Sequence, residues 1–195
     1  MKIPHPMQQQ SGFTLLEVMV AVMIISVGLL GVAKMQALAL TNTGVASLRS
    51  LAAIEAASLA ATMHENRGYW SSAAPAANAG GIKVVGTGPR SSPTITAASG
   101  LTASVNCASG TTVPYCTSDK LAAYDLQQWA AAVNSVLPNF NATITCTGVS
   151  PVSCTIAISW QERAVALNDQ EAAAQTAAGA NYLQAATAYT LFVEP

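Results

Sequence analysis

Glu17 is the residue whose chemistry is hardest to explain by packing alone. It is the only ionisable side chain in the apolar run from Phe13 to Ala33. As a helix this run would be about 31 Å long, which matches a membrane hydrocarbon core of roughly 30 Å. A carboxylate within a membrane-spanning segment is costly, so it marks a functional site whose partner must be identified. The alternative is a polar residue that lies near the membrane surface.

The four cysteines provide a second possible chemistry, because an even number of them behind an apolar amino-terminal segment indicates disulfides in an oxidising compartment. Four cysteines allow three pairings. Residues Gly148 to Pro151 are typical of a turn. The residues on either side alternate with a period of two, as in the strands of a β-hairpin. That hairpin would place Cys146 opposite Cys154, at a separation that a disulfide accepts. We therefore favour two pairs, Cys107 with Cys116 and Cys146 with Cys154.

Other reactive side chains do not form a recognisable catalytic or metal site. The cysteines have no Cys-x-x-Cys spacing and no histidine nearby, so the sequence predicts neither a metal nor a cofactor. His64, beside Glu65, is the only histidine after residue 12, and a Ser-His-Asp site would have to use it. Asp119 and Asp125 are expected to be capping or solvated groups, and Trp129 a core residue. We predict that the protein is not an enzyme.

The charge distribution argues against a nucleic-acid partner. The formal net charge is −1, and only 9% of the 195 residues are charged. Of the eight Lys and Arg residues, Lys2 lies near the amino terminus and the others are scattered along the chain. Binding to the phosphate backbone requires clustered basic side chains, so no nucleic-acid binding is predicted.

The elements that must position these residues begin with one long helix, predicted from Phe13 to about Arg67, with Gly68 as its C′ residue. No proline interrupts the chain between Pro6 and Pro75. Residues 13–33 are apolar on all sides, whereas residues 34–68 carry a partial apolar stripe. The stripe consists of Leu38, Val45, Ala52, Leu59 and Met63, with Leu48 and Ala56 beside it.

Residues 69–195 are expected to form a separate head. The patterns predict strands at Ile82–Val85 and Leu101–Val105, a helix over Asp119–Leu137 capped by Ser118 or Asp119, the cysteine hairpin, and a last strand at Tyr189–Val193. The alanine-rich segment 168–188 could be a short helix, a loop or both.

The amino-terminal residues resemble a known export signal. The sequence Gly12-Phe13-Thr14-Leu15-Leu16-Glu17 follows a short polar leader and opens the apolar run. This order resembles the class III signal of type IV pilins and of type II secretion pseudopilins. The resemblance implies that a prepilin peptidase removes residues 1–12 by cutting between Gly12 and Phe13, and that Phe13 becomes N-methylated. It also implies that Glu17 pairs with the amino terminus of a neighbouring subunit.

The alternative interpretation of this segment is an ordinary signal peptide or a plain membrane anchor. An ordinary signal peptide carries its small cleavage-site residues after the apolar core. Here Gly12 precedes the core, which favours the pilin-type signal.

The head resembles one group within that family. The segment Asp125-Leu126-Gln127-Gln128-Trp129, ending in Leu137-Pro138, has two cysteines before it and two after it. Together with the strand from Cys154 to Trp160, this arrangement is similar to that of PilV-type minor pilins. The alanine-rich segment is not part of the resemblance.

The predicted fold is α+β and pilin-like: a long amino-terminal helix, a small antiparallel sheet, one additional helix and two disulfides. The resemblance implies a minor pilin that primes pilus assembly and acts near the pilus tip in twitching and adhesion. It implies as partners other minor pilins and the major pilin through the long helix, a tip adhesin, the prepilin peptidase and the inner-membrane assembly machinery.

The implied location is the inner membrane of a Gram-negative bacterium, with a single span and a periplasmic head, followed by the pilus at the cell surface. One alternative is a minor pseudopilin of type II secretion. A second is a membrane-anchored module that binds a surface ligand.

Overall fold

A computed structural model of the protein describes residues 12–97, 100–104, 106–107, 116–163, 170, 173 and 183–195. It confirms the predicted α+β fold with a long apolar amino-terminal helix, a small antiparallel sheet, an additional helix and two disulfides. The chain divides into two compact units, Met1–Leu40 and Thr41–Pro195. Helix α1, Leu15–Glu65, contributes residues to both units.

The part of α1 in the first unit exposes its large apolar side chains. Leu16, Met23 and Leu30 are each about 70% exposed, at 74%, 71% and 68%. The most apolar 18-residue window of α1 has a mean hydropathy of 2.5, and none of it is buried. By length and composition this helix is able to cross a membrane.

In the second unit, α1 buries one narrow stripe of side chains. Ala52, Ala56, Leu59 and Met63 are the buried residues, spaced three or four apart so that they share one face. The predicted stripe is therefore confirmed over its carboxyl-terminal part. Leu38, which lies in the first unit, remains 38% exposed.

The helix ends two residues earlier than the sequence indicates, at Glu65. Asn66 leaves the helical conformation, with φ −109° and ψ 58°, and its buried side-chain amide donates a hydrogen bond of 2.7 Å to the carbonyl of Ser118. A short helix α2, Arg67–Trp70, then follows. Gly68 lies inside α2, so the prediction that it is the C′ residue of α1 was wrong.

The sheet has five antiparallel strands in the order β2-β1-β3-β4-β5. The strands are β1 Ile82–Val85, β2 Thr94–Thr96, β3 Asn141–Cys146, β4 Cys154–Arg163 and β5 Leu183–Val193. Helix α3, Ser118–Val136, lies between β2 and β3 in the chain, and a single 3-10 turn covers Pro75–Ala77. The β3–β4 register pairs Cys146 with Cys154, as the hairpin pattern predicts.

The second unit, which we call the head from here on, has an apolar core formed by the sheet, α3 and the stripe of α1. Its largest fully buried side chains are Trp70, Trp160, Phe140, Leu59, Met63, Ile82, Leu101, Leu126, Leu137, Ile144, Ile156 and Ile158. Strand β4 alternates buried and half-buried residues from Cys154 to Trp160, which is the period-two pattern of a sheet with one face in the core.

Three sequence expectations for the head need correction. Residues 101–104 lie in a turn rather than a strand, and Leu101 is buried there as a single anchor, while Val105 lies outside the described residues. Helix α3 begins at Ser118, and its N-cap is Thr117 rather than Ser118 or Asp119.

Strand β5 begins at Leu183 rather than Tyr189 and so includes the end of the alanine-rich segment. The rest of that segment lies almost wholly outside the described residues.

Candidate functional site

The amino-terminal motif lies at the start of α1, where Thr14 precedes the first helical residue, Leu15. The backbone N–H of Glu17 donates to the Thr14 hydroxyl at 3.3 Å and to the Thr14 carbonyl at 3.1 Å. Thr14 thus acts as the N-cap, which satisfies one of the free amides of the first turn. Glu17 lies in that first turn, where the helix dipole favours a negative charge.

Around this turn the structure leaves the motif accessible. Phe13 is 82% exposed, and no atom lies within 4 Å of the position that a Cβ on Gly12 would occupy. The bond between Gly12 and Phe13 therefore precedes the helix, in a segment that an enzyme can reach. The carboxylate of Glu17 is exposed among apolar side chains that are also exposed.

The two disulfides lie in the head and join Cys107 to Cys116 and Cys146 to Cys154. The Cys107–Cys116 bridge precedes α3, with Cα atoms 5.9 Å apart. The Cys146–Cys154 bridge joins directly paired residues of β3 and β4. Each bridge closes a loop of roughly ten residues, which in the chain-entropy treatment stabilises the fold by about 2.5–3 kcal/mol.

A bidentate ion pair joins α1 to the sheet within the head. Arg49 donates from Nε to Glu162 Oε1 at 3.0 Å and from Nη2 to Glu162 Oε2 at 3.1 Å. Glu162 is fully buried, whereas the Arg49 side chain is 57% exposed. The hydrogen bonds that Arg49 donates to Glu162, and then the negative charge of Glu162, raise the pKa of Arg49. A buried carboxylate is unfavourable without a partner. The ion pair with Arg49 therefore offsets the cost of burying Glu162 in β4.

Asn134 holds the loop after β1 against α3. Its buried amide donates to the carbonyls of Gly88 and Ser91 at 2.8 and 2.6 Å, and its Oδ1 accepts from the Gly88 N–H at 3.1 Å. A Cβ at Gly86 would collide with Asn134 and with the ring of Phe140. This loop therefore depends on a polar side chain that no apolar pattern indicates.

Helices α1 and α3 meet along an antiparallel seam. Asn66, just after α1, contacts Ser118 at the start of α3, whereas the Trp129 Nε1 further along α3 donates to the Glu55 carbonyl at 2.8 Å. Trp129 is 5% exposed, so the prediction that it is a core residue is confirmed. Because its indole bonds the backbone of α1, Trp129 also fixes the distance between the two helices at this point.

On the solvent side of this seam lies a cavity of about 320 Å³, which we call the α1–α3 groove. It is lined by Glu55, Ser58 and Thr62 from α1 and by Tyr124, Asp125, Gln128, Trp129 and Ala132 from α3. Partial burial raises the pKa of the Glu55 carboxyl. Burial, and secondarily the negative charge of Glu65, raises the pKa of Asp125.

A second cavity of about 300 Å³ lies beside the other flank of α3. Its lining is Pro93, Ile95, Thr102, Ser104, Gln127 and Ala131, which contains no ionisable side chain. In the described part of the chain, no three His, Cys, Asp or Glu side chains come together in a way that could hold a metal ion.

Asp119 differs from Asp125 although both are on α3. A hydrogen bond from the Thr117 side chain, and then the backbone amides of the first turn, lower the pKa of Asp119. Asp119 is exposed at the start of the helix, whereas Asp125 lines the α1–α3 groove. Asp119 is thus a solvated residue of the first helical turn, as the sequence predicts, whereas Asp125 is half-buried.

The sequence-predicted functional residues thus fall into two groups. Gly12, Phe13 and Glu17 lie together at the start of α1 in the first unit, and the four cysteines lie in the head. Sequence reasoning missed Arg49, Glu162, Asn134 and the role of Glu55. Of these residues, only Glu162 stands out in the sequence, because it is an acid at a position where the alternating strand pattern predicts an apolar residue.

Comparison with known protein families gives a match at the amino-terminal end of the chain. Residues 7–33 match the family model described as the prokaryotic N-terminal methylation motif. No curated protein and no solved structure matches the chain. The match covers the predicted signal and apolar run but not the head, and it supports a type IV pilin-like or pseudopilin protein that is processed by a prepilin peptidase and anchored in a membrane. A pilin-type motif also favours a structural, non-enzymatic role.

Proposed function

We propose that the protein is a PilV-type minor pilin, a structural subunit that primes assembly of a type IV pilus. The observation that carries this proposal is the methylation motif at the start of a helix whose apolar side chains are exposed along its first unit. An exposed apolar helix needs lipid or other helices around it. A subunit that moves from a membrane into the core of a filament meets both in turn.

Processing comes first in the proposed sequence of events. The prepilin peptidase cuts between Gly12 and Phe13, and the new terminus at Phe13 is N-methylated. The accessible, non-helical backbone at these two residues supports this step. The subunit then has a single span in the inner membrane of a Gram-negative bacterium, with its head in the periplasm.

Glu17 gives assembly its direction. In a membrane its carboxylate is costly, whereas in a filament it pairs with the positively charged amino terminus of the adjacent subunit. A charge-assisted contact of this kind is strong where water is excluded. Transfer from membrane to filament is favoured because it replaces an unpaired charge by a pair.

The PilV-type assignment rests on the head. Its Asp125–Trp129 segment lies on α3, with one disulfide before the helix and one after it. We propose other minor pilins and the major pilin as neighbours through α1, a tip adhesin as a further partner, and twitching and adhesion as the processes served.

The amino terminus of the mature protein tests processing and location together. Mass spectrometry of sheared pili is expected to find the chain beginning with N-methyl-phenylalanine at Phe13. A chain that begins at Met1 in the membrane fraction and is absent from pili would refute the proposal.

A variant tests the role of Glu17. We expect Glu17→Ala to be cleaved normally but to enter filaments at least tenfold less than the wild type, by immunoblot of sheared pili. Glu65→Ala, which removes an exposed carboxylate at the other end of α1, is the matched control and should enter normally. Wild-type incorporation of the Glu17 variant would exclude the charge-pair role.

Deletion separates the proposal from its alternatives. Loss of pili and twitching supports the minor pilin. A secretion defect with normal pili would instead indicate a type II secretion pseudopilin, and normal pili with lost adhesion would indicate a surface-ligand binding module.

A further inference from the structure

The two edges of the five-stranded sheet differ in their protection against pairing with another chain. Strand β2, at one edge, has three residues and follows Pro93, and short strands and prolines are usual means of limiting such pairing. Strand β5, at the other edge, has 11 residues, Leu183–Val193, with no proline and no charged residue among them. Its pairs with β4 are regular from Thr187 to Val193. Strand β5 is therefore a long edge without the protection that β2 has.

The hydrogen-bond pattern of the sheet shows which backbone groups β5 leaves unpaired. The Thr147 N–H donates to the Ser153 carbonyl at 2.8 Å, one position beyond the paired cysteines of β3 and β4. Because successive residues direct their N–H and C=O groups to opposite sides of a strand, the even-numbered residues of β4 from Cys154 to Trp160 face β5. Their partners in β5 are bonded to β4. The residues between those partners direct both groups away from the described sheet, and they are Ala188, Thr190 and Phe192.

The side chains along β5 are arranged so that a further strand could pack beside them. Tyr189 and Leu191 are half-buried and contact the core, whereas Ala188, Thr190 and Phe192 are exposed on the other face. The Phe192 side chain is 77% exposed. A strand added here would extend the core beyond Tyr189 and Leu191 and would cover Phe192, and cross-strand contacts of this kind stabilise a sheet.

We propose that β5 binds an extended segment of another protein, which joins the sheet as a further strand. The unpaired backbone groups determine the kind of partner, because an extended backbone carries N–H and C=O groups at the matching spacing. The absence of charge along β5 and its alternating burial favour an uncharged segment with apolar residues at every second position. The inference rests on the proposed function only for the identity of the partner, which is then another subunit of the same pilus.

Hydrogen exchange of the full chain in detergent micelles tests whether the edge is open. The N–H groups of Thr190 and Phe192 should exchange at least about tenfold faster than those of Tyr189 and Leu191, which are bonded to β4. Equal protection of the four amides would show that the outer edge is already paired and would overturn the proposal.

A pair of matched peptides tests strand addition itself. The probe is a capped peptide of four Thr-Val repeats that is N-methylated at the valines, so that one hydrogen-bonding edge remains. Its counterpart is N-methylated at every residue and has no such edge. We expect the probe to bind at least about tenfold more tightly, because its N–H groups pair with β5, and to slow exchange at Thr190 and Phe192. Equal binding of the two peptides would refute strand addition.

Variants assign the binding to the outer edge of β5. Thr190→Pro removes an N–H that is not bonded to β4 and should weaken the probe at least about tenfold, whereas Thr190→Val keeps the N–H and should bind normally. If Thr190→Pro does not fold, Phe192→Lys tests the same edge, because a lysine there opposes strand addition. Val149→Lys, at a 72% exposed position between β3 and β4, is its control. Retention of the probe preference in whichever edge variant folds contradicts the proposal.

Crosslinking identifies the partner in pilus-producing cells. A photo-crosslinking amino acid in place of Ala188 or of Phe192 should capture the same segment of another pilus subunit, at positions about four residues apart. The same amino acid in place of Val149 should not capture it. Capture of a second copy of this chain, or of no protein, would overturn the assignment to another subunit. If the chain never enters pili, the proposed function fails, while hydrogen exchange and the peptide titration still decide whether β5 accepts a strand.

Discussion

Helix α1 contributes residues to both units, but its apolar side chains are exposed in the first unit and partly buried in the second. In the first unit, side chains such as Leu30 are 68% exposed, whereas in the second unit Leu59, on the same helix, is 1% exposed. Both parts of α1 are built from good helix formers, so secondary structure does not separate them. The difference is that strands and α3 cover the second part, which teaches that hydrophobicity alone does not determine whether a helix face belongs in a core.

The carboxylates of the two units show the same contrast. Glu17 is exposed within an apolar surface, whereas Glu162 is fully buried and paired with Arg49. The head satisfies its buried charge internally. In the first unit, Glu17 has no ion-pair partner among the described residues, so its carboxylate depends on the molecules around the helix.

The largest effect is expected from a cavity in the covered part of α1. Leu59→Ala should lower the free energy of unfolding of the head by about 2–5 kcal/mol, because it removes packed methyl groups and leaves a void. Leu40→Ala, at a position that is 73% exposed, is the matched control and should change it by less than about 0.5 kcal/mol. Urea unfolding in micelles measures both, with tryptophan fluorescence as the signal, since all three tryptophans lie in the head. Equal effects of the two variants would remove the distinction between the units.

A somewhat smaller effect is expected from opening one disulfide. Cys146→Ala with Cys154→Ala should lower the stability of the head by about 2.5–3 kcal/mol, because the unfolded chain regains the freedom of the closed loop. The first unit contains no cysteine, so the helical signal that survives full urea unfolding of the head should be unchanged. Loss of that signal in the variant would mean that the two units do not unfold independently.

The ion pair between α1 and β4 should matter less than the packed leucine. Arg49→Met removes the guanidinium that pairs with the buried Glu162 carboxylate and should lower the urea midpoint of the head. The loss is limited because a buried carboxyl can take up a proton instead. Arg49→Met with Glu162→Leu should recover much of the loss, since a buried pair replaced by apolar groups is often tolerated. A double variant less stable than Arg49→Met alone would show that Glu162 has a further structural role.

The smallest effect is expected in the pH dependence of stability. Burial raises the folded-state pKa of Glu55 and Asp125, so the stability these groups contribute is complete below their unfolded pKa of about 4 and is lost as the pH rises through the folded value. Glu55→Gln with Asp125→Asn should therefore be slightly more stable than the wild type at pH 7, and the difference should disappear below about pH 4. Urea midpoints at the two pH values measure this difference.

Asp119→Asn provides a control of opposite sign for this pH experiment. The Thr117 side chain and the helix amides lower the pKa of Asp119, so its contribution is present above the unfolded pKa and is lost as the pH falls through the folded value. This variant should be slightly less stable than the wild type at neutral pH. A gain in stability there would contradict the assignment of the two aspartates to different environments.

Much of the fold could be predicted from the sequence because the relevant patterns are local. The stripe from Ala52 to Met63, the α3 pattern ending at Pro138 and the alternation that pairs Cys146 with Cys154 all depend on neighbouring residues. The strand Thr94–Thr96 was missed because three residues are too few to establish a period. The end of α1 was misplaced because Asn66 breaks the helix through a bond to Ser118, 52 residues away.

The site was predictable only where a linear motif defines it. Gly12, Phe13 and Glu17 stand at fixed spacings in one short segment. The α1–α3 groove needs Glu55 and Asp125 from distant parts of the chain, and the pairing of Arg49 with Glu162 spans 113 residues. Neither juxtaposition follows from periodicity, since it depends on how the helices and the sheet pack.

The order of the disulfides along the chain has a consequence for biogenesis. Each bridge joins a cysteine to the next cysteine in sequence, with separations of nine and eight residues. A chain that enters an oxidising compartment from its amino-terminal side presents Cys107 and Cys116 before Cys146 arrives, so oxidation in order of arrival yields the native pairs without a shuffling catalyst. A fully reduced chain refolded at once loses this order and chooses among three pairings. Entry from the amino-terminal side thus favours the native disulfide pairing over the two alternatives.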